Sequence, residues 1–416
     1  MVPDGWELSG LGDVCQPKTG LQTGPFGSQL HASDYVEDGI PVVMPKDMIN
    51  GTISTRSIAR VSPEKVNEVS KHELKVGDIV FSRRGDLGRF AVVKPENVGW
   101  ICGTGCMRAR LKPTVVPDFV FCQLITHGSI RWLEDNAVGQ TMPNLNTEIL
   151  SQLPLRFPPL PEQQKIAAIL STWDRAIEST EKLIAAKQKR KQALMQQLLT
   201  GKVRFKEFKG KPWKWIELGE LTKPIKRPVQ WDDEQLYKLA SIRRHSKGMF
   251  FREPTFGHQI KVKKLFTVEQ DDFLISNIQA AYGAMGLVPQ EFHGSFISDQ
   301  YTILTPRKTE QFDIRFLGFM SESAWFRHQI LLACNGFFAE RLRLLFSASE
   351  LLKRKLYVPP TIMEQRRIVE VLIAGDHELG TEKRRLDQLR EQKKGLMQQL
   401  LTGKVRVNVD SKTVKG

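Results

Sequence analysis

The chain has 416 residues, too many for one compact core, and at roughly 100–200 residues per domain it should form two or three. Hydrophobic residues make up 41%, enough to bury real cores and to exclude a wholly disordered chain. Lys and Arg number 61 against 46 Asp and Glu, a formal charge of +15 that favours a polyanionic partner over an acidic metabolite. No apolar run reaches the ~18 residues of a membrane span, and Met1–Trp6 lacks the basic start and apolar stretch of a signal peptide. The expectation is a soluble, intracellular chain without a membrane partner. Five scattered cysteines (Cys15, Cys102, Cys106, Cys122 and Cys334) argue against a disulfide framework. Cys102 and Cys106 have no second pair of Cys or His nearby, so they read as ordinary half-buried thiols rather than zinc ligands.

Residues 1–157 read as a first globular head. Short β-rich runs such as Ile79-Val80-Phe81 and Phe90-Ala91-Val92-Val93 are separated by Gly, Pro, Asn and Asp clusters. Phe119–Thr126 reads as a helix among them. Residues 158–205 read as one long helix. From Ile166, steps of four and three give Leu170, Trp173, Ile177, Thr180, Ile184, Lys187, Lys191, Leu194 and Leu198, with seven of the ten positions apolar. An apolar residue every 3.5 positions over several heptads is the pattern of a coiled coil. Pro161 suits a first helical position, and Gly201 falls where a left-handed cap is wanted.

A second head is expected over residues 206–357, with strands at Phe273-Leu274-Ile275 and Tyr301-Thr302-Ile303-Leu304 and a helical stretch over Phe316–Gln329. Residues 358–407 repeat the long helix, and residues 408–416 form a tail. The repetition is literal at its end, where the eleven residues Leu194–Arg204 recur from Leu396 to Arg406. At the same offset Glu162-Gln163 pairs with Glu364-Gln365, and Ile166, Leu170 and Asp174 pair with Ile368, Leu372 and Asp376. Thr361-Ile362-Met363-Glu364 has the spacing of a capping box, and Gly403 matches Gly201. Lys187, Lys191 and Lys393 interrupt the seam, where the stripe would broaden or turn toward another protein. The heads resemble each other only loosely: residues 77–83 can be laid over 271–277. The fold class expected is α/β (α+β), with twisted sheets and flanking helices in each head and two long helices in an internal pseudo-twofold repeat.

Catalytic patterns are missing. The chain has no G-x-x-x-x-G-K-[ST] phosphate loop, no Gly-rich cofactor turn with a methyltransferase tetrapeptide, and no Ser/His/Asp arrangement. Glu73-Leu74-Lys75 and Glu391-Gln392-Lys393 fit a nuclease string only loosely, without an acidic partner just upstream. No catalytic, metal-binding or cofactor-binding residue is assigned. Two dissimilar heads on a helical rod of about 60 Å instead suggest a caliper reading two different half-sites on one duplex.

Base edges are read by Arg, Lys, Asn and Gln on loops, and phosphates by exposed cations. In the first head Arg83 and Arg84 follow a predicted strand, while Lys46, Arg56 and Arg60 suit phosphate. In the second, Arg243, Arg244 and Lys247 form the densest basic loop and suit phosphate. Asn277, Gln279 and Tyr282 stand where Arg83 and Arg84 do in the first head, and are its base-reading candidates. The bland alternative for Arg83 and Arg84 is a pair of solvated turn arginines. The basic runs at residues 187–191 and 383–385 are either solvated helix faces or phosphate contacts along a spacer.

Pro158-Pro159-Leu160-Pro161-Glu162-Gln163-Gln164-Lys165-Ile166, the helix after it and Leu198-Leu199-Thr200-Gly201-Lys202 resemble the central conserved region of the specificity (S) subunit of type I restriction–modification systems. Glu364-Gln365-Arg366-Arg367-Ile368 through Lys404 is similar to that family's distal conserved region. The resemblance implies two target-recognition domains joined by two helices packed as an antiparallel coiled coil. It implies a non-catalytic, cytoplasmic subunit of a prokaryote that binds double-stranded DNA. Its partners would be two modification subunits, which methylate adenine, and two restriction subunits in the complete enzyme. S-adenosylmethionine, ATP and Mg would sit on those partners and none on this chain. Ile362-Met363-Glu364 departs from a second Pro-Glu-Gln, and Gly375 replaces Trp173. The other readings are a stand-alone DNA methylase or nuclease with an unrecognised site, and a coiled-coil assembly protein with no DNA role.

Overall fold

A computed structural model describes residues 2–27, 29–139, 143–335 and 345–409. The chain divides into two units, residues 1–181 with 385–416, and residues 182–384. Each unit holds one head and a stretch of both long helices, Leu160–Leu198 and Ile362–Leu400.

In the first head, strand Glu7–Gly10 pairs antiparallel with Pro154–Phe157, tying the head's beginning to its end. Between them lie a four-stranded sheet (Leu21–Thr23, Cys106–Ala109, Ile79–Ser82, Phe90–Val92) and a second one (Ile101–Cys102, Ile40–Val43, Ala59–Val61, Tyr35–Val36). The second head repeats the frame. Lys214–Glu217 pairs with Lys355–Val358, and the main sheet runs Thr222–Ile225, Tyr301–Pro306, Phe273–Ser276, Met285–Leu287. Its other strands form smaller two-stranded pairs.

The faint overlay of residues 77–83 on 271–277 has a physical core. Asp78 and Asp272 are both buried just before the matching strand, and each accepts a backbone N–H three residues back, from Lys75 and Glu269, at 2.8 Å. Each is held by a two-pronged guanidinium. Arg110 reaches Asp78 from the neighbouring strand's end at 2.7 and 2.8 Å, with Arg108 fully buried beside it. Arg227 reaches Asp272 at 2.7 and 3.1 Å, but from the segment after the first strand of the sheet. The carboxylate is kept and its cation comes from a different strand.

Two local expectations change. The stretch over Phe316–Gln329 is two helices, Ile314–Ser321 and Ala324–Leu332, because the Ser323 hydroxyl accepts the Phe326 N–H and starts the second. The helix expected over Phe119–Thr126 runs Pro117–Leu124, with proline at its start. Cys102 and Cys106 are fully buried rather than half-buried, and burial pushes the Cys102 thiol up to about 12.

The long helices pair within each unit. In the first, Lys393 bonds to Asp174, and Arg390 to Glu181 at 2.6 Å. In the second, Lys187 meets Glu378 and Glu382 at 3.4 and 3.1 Å, and Lys191 meets Asp376 at 2.6 Å. Partner numbers fall on one helix as they rise on the other, so the packing is antiparallel. Every seam position named above is buried or half-buried. The three lysines therefore do not turn the seam outward: their stems stay in it and their ammonium groups reach acids across it.

The repeated Glu-Gln pair explains itself here. Glu162 accepts two bonds from Arg406, both at 2.8 Å, and one from the Trp6 indole at 3.3 Å. Glu364 accepts two from Arg204, both at 2.8 Å, and one from Trp213 at 3.1 Å. Gln163 and Gln365 each take the N–H at a head helix's start, from Val116 at 3.0 Å and Asp313 at 2.9 Å. The predicted capping box is half made: Thr361 accepts the Glu364 N–H at 3.4 Å, but the Glu364 carboxylate is spent on Arg204 and Trp213. Gly375 needs no tryptophan, since the Lys191 stem lies 3.8 Å from where its Cβ would be.

Gly201 and Gly403 both adopt φ +69°, as left-handed caps require. A Cβ on Gly403 would lie 2.4 Å from the Pro3 ring, whereas on Gly201 it would be 3.2 Å from Trp213. Gly201→Ala should therefore cost about 1–2 kcal/mol from conformation alone, and Gly403→Ala more. Urea titration of both variants checks the order; equal losses would remove the steric argument.

Candidate nucleic-acid interface

In the second head the loop after strand Ala240–Ile242 carries the basic cluster. His245 and Ser246 take left-handed φ values of 59° and 52°, which fold the loop back onto the turn after strand Phe273–Ser276. Two backbone bonds staple them: the His245 N–H to the Tyr282 carbonyl at 2.8 Å, and the Ser246 N–H to the Gly283 carbonyl at 2.9 Å. The phosphate candidates Arg243, Arg244 and Lys247 thus meet the base-reading candidates Gln279 and Tyr282. Most of this group lines one cleft of about 530 Å³, together with Phe250, Gln300 and Tyr301.

The arginines are held differently. Arg243 donates to the Met249 carbonyl at 2.8 Å, 4.5 Å from the Phe250 ring centre. Arg244 lies over the Tyr282 ring at 4.7 Å and donates through Nε to Gln279 at 3.4 Å. Asn277 turns to structure: it accepts the Thr302 hydroxyl at 2.7 Å, and its backbone ties to Gln300 and Phe346.

In the first head Arg83 and Arg84 follow strand Ile79–Ser82, as expected. The Arg83 backbone bonds to Gly105 and Leu145, both at 2.9 Å. Its guanidinium lies 5.9 Å from the ring of Phe26, a side chain 57% exposed. Burial, and then Arg84, pulls the Arg83 guanidinium below its ordinary pKa. Lys46 and Arg56 are exposed on one hairpin, where Lys46 donates to Ser57 at 3.1 Å. Arg89 joins that hairpin to the Arg83 loop, bonding Asp86 at 2.9 Å and the Pro45 carbonyl at 3.4 Å. Arg60 is half-buried within its own sheet and donates to Gly39 at 2.9 Å.

Sequence reasoning missed Phe26, Arg89 and Phe250. An aromatic between loop formers, as in Pro25-Phe26-Gly27, was the available signal for the first. Among the described residues no group of three or more His, Cys, Asp or Glu could hold a metal ion. Nor is any described helix long and apolar enough to cross a membrane.

A frame of two α+β heads alternating with two copies of one long helix defines a duplicated scaffold with reading loops. Residues 3–187 match the type I restriction modification DNA specificity domain. The MjaX and MjaVIII type I restriction enzyme specificity subunits of Methanocaldococcus jannaschii are both 24% identical over 98% of this chain, and over 95% and 94% of their own. The type I S subunit from M. genitalium shares the fold with TM-score 0.59 and 16% identity, over 95% of this chain and 96% of its own. By sequence and fold the chain is similar to specificity subunits of the type I restriction–modification kind.

Proposed function

We propose that this chain is the non-catalytic DNA-reading subunit of a type I restriction–modification enzyme. Each head reads one half of a bipartite, asymmetric site, and the long helices set the spacer and dock two modification subunits. The reading takes most support from the two heads: they share one frame but present different side chains at the matching turn, Arg83 and Arg84 against Gln279 and Tyr282. Different readers on a repeated frame suit unequal half-sites. Adenine methylation, with S-adenosylmethionine, belongs to the modification subunits. ATP- and Mg-dependent cleavage belongs to two restriction subunits, and the assembly works on cytoplasmic DNA.

The test is reconstitution. The isolated chain should neither methylate nor cut DNA, and modification subunits should gain sequence-specific adenine methylation when it is added. Replacing residues 1–157 with another head should change one half of the mapped motif and leave the other. Methyl transfer or cleavage by the chain alone would favour the stand-alone enzyme.

A further inference from the structure

The two cations of the second head's cleft have unequal freedom. Arg243 is committed to its own hairpin, with one Nη on the Met249 carbonyl and the guanidinium against Phe250. Arg244 uses only Nε, and among the described residues its two Nη groups make no hydrogen bond. It is exposed, yet it does not wander, because the Tyr282 face lies beneath it and Gln279 takes its inner edge. Tyr282 is itself fixed by the bond from His245 to its carbonyl, so the support is part of the loop staple.

A planar guanidinium with its Nη edge free and its roll set by an aromatic plate presents two parallel donors. That fork matches the O6 and N7 acceptors of guanine in the major groove; it also fits two phosphate oxygens, a contact that would leave no dependence on guanine N7. A flat cation held before binding also loses less side-chain entropy on contact. The first head uses a looser version, Arg83 against the exposed Phe26 ring at 5.9 Å.

We infer that Arg244 reads a guanine in the half-site of the second head, with Tyr282 and Gln279 as positioning residues. This rests on the DNA-reading function proposed above and assigns one base to one side chain.

The experiment uses the full chain assembled with its modification subunits. Methylation mapping first gives the motif, and replacement of the first head marks which half belongs to the second. Duplexes are then made with 7-deazaguanine, which lacks the N7 acceptor, at each guanine of that half. At one position the wild type should bind the altered duplex about 10- to 150-fold more weakly than the natural one, as loss of one of the two hydrogen bonds from a charged donor implies. Arg244→Gln should bind the two duplexes equally well, whatever its absolute affinity. Arg244→Lys, which keeps the charge but not the fork, should also lose most of the difference.

A half-site without guanine, or an unchanged 7-deaza penalty in Arg244→Gln, would overturn the assignment while leaving the DNA-reading function intact. A wild-type complex that modifies no bipartite motif would instead overturn that function, and this inference with it.

Discussion

Glu364→Ala should lower the stability of its unit by about 3–5 kcal/mol, the range for removing one partner of a buried charge pair. Glu364 is fully buried, and three donors converge on it: Nε and Nη2 of Arg204 and the indole N–H of Trp213. The variant strands all three and opens a void beside Trp213. Arg204 keeps its bonds to the Lys211 and Phe208 carbonyls, so it stays near the vacated site rather than escaping to water. Glu364→Gln should cost less, since it keeps an acceptor for the indole while losing the charge. Glu162→Ala tests the same arrangement in the other unit, where Arg406 is 45% exposed against 15% for Arg204. A more hydrated arginine suffers less on losing its partner, so this variant should be milder. Urea unfolding followed by circular dichroism measures all three. If Glu364→Ala falls within the ~0.5 kcal/mol of ordinary surface changes, the carboxylate is not the anchor described.

The second large effect concerns salt. Lys46, Arg56 and Lys247 are exposed cations on loops, and none has the aromatic support that orients Arg244. If they contact phosphate, each releases about one condensed counterion, and log affinity falls with log salt at about 0.9 per contact. The triple alanine variant should therefore flatten that slope by about 3. It should weaken cognate and non-cognate duplexes alike and leave the methylated motif unchanged. Fluorescence titration of the assembled complex between about 50 and 200 mM salt covers the informative range. A variant with the wild-type slope, or with an altered motif, would mean these side chains do something other than neutralise backbone.

The sequence disclosed the scaffold because the scaffold is copied. Eleven identical residues and a shared heptad seam need no knowledge of tertiary contacts, and the left-handed glycines follow from where each helix must stop. What it hid lay in partners far along the chain. Glu162 looked like the opening of a helix, yet its counter-ion Arg406 is 244 residues away. Glu364 fitted a capping box by spacing, but an arginine and an indole outcompete a backbone N–H for a buried carboxylate. The seam lysines looked like gaps because composition does not show that Asp174, Asp376, Glu378 and Glu382 face them. The candidate interface was half legible. Basic loops announce themselves by charge, whereas the rings under Arg83 and Arg244 come from distant loops, and only folding brings them together.

The migrating counter-ion of Asp78 and Asp272 limits how such proteins can be rebuilt. A chimaera that grafts only strand Cys106–Ala109 with Arg110 into the second head would bring a second guanidinium to a carboxylate already served by Arg227. The reciprocal graft would leave Asp78 without its two-pronged partner. Piecemeal mixing at this point should destabilise either head, so viable recombinants should exchange whole heads, cut outside the strands that close each one.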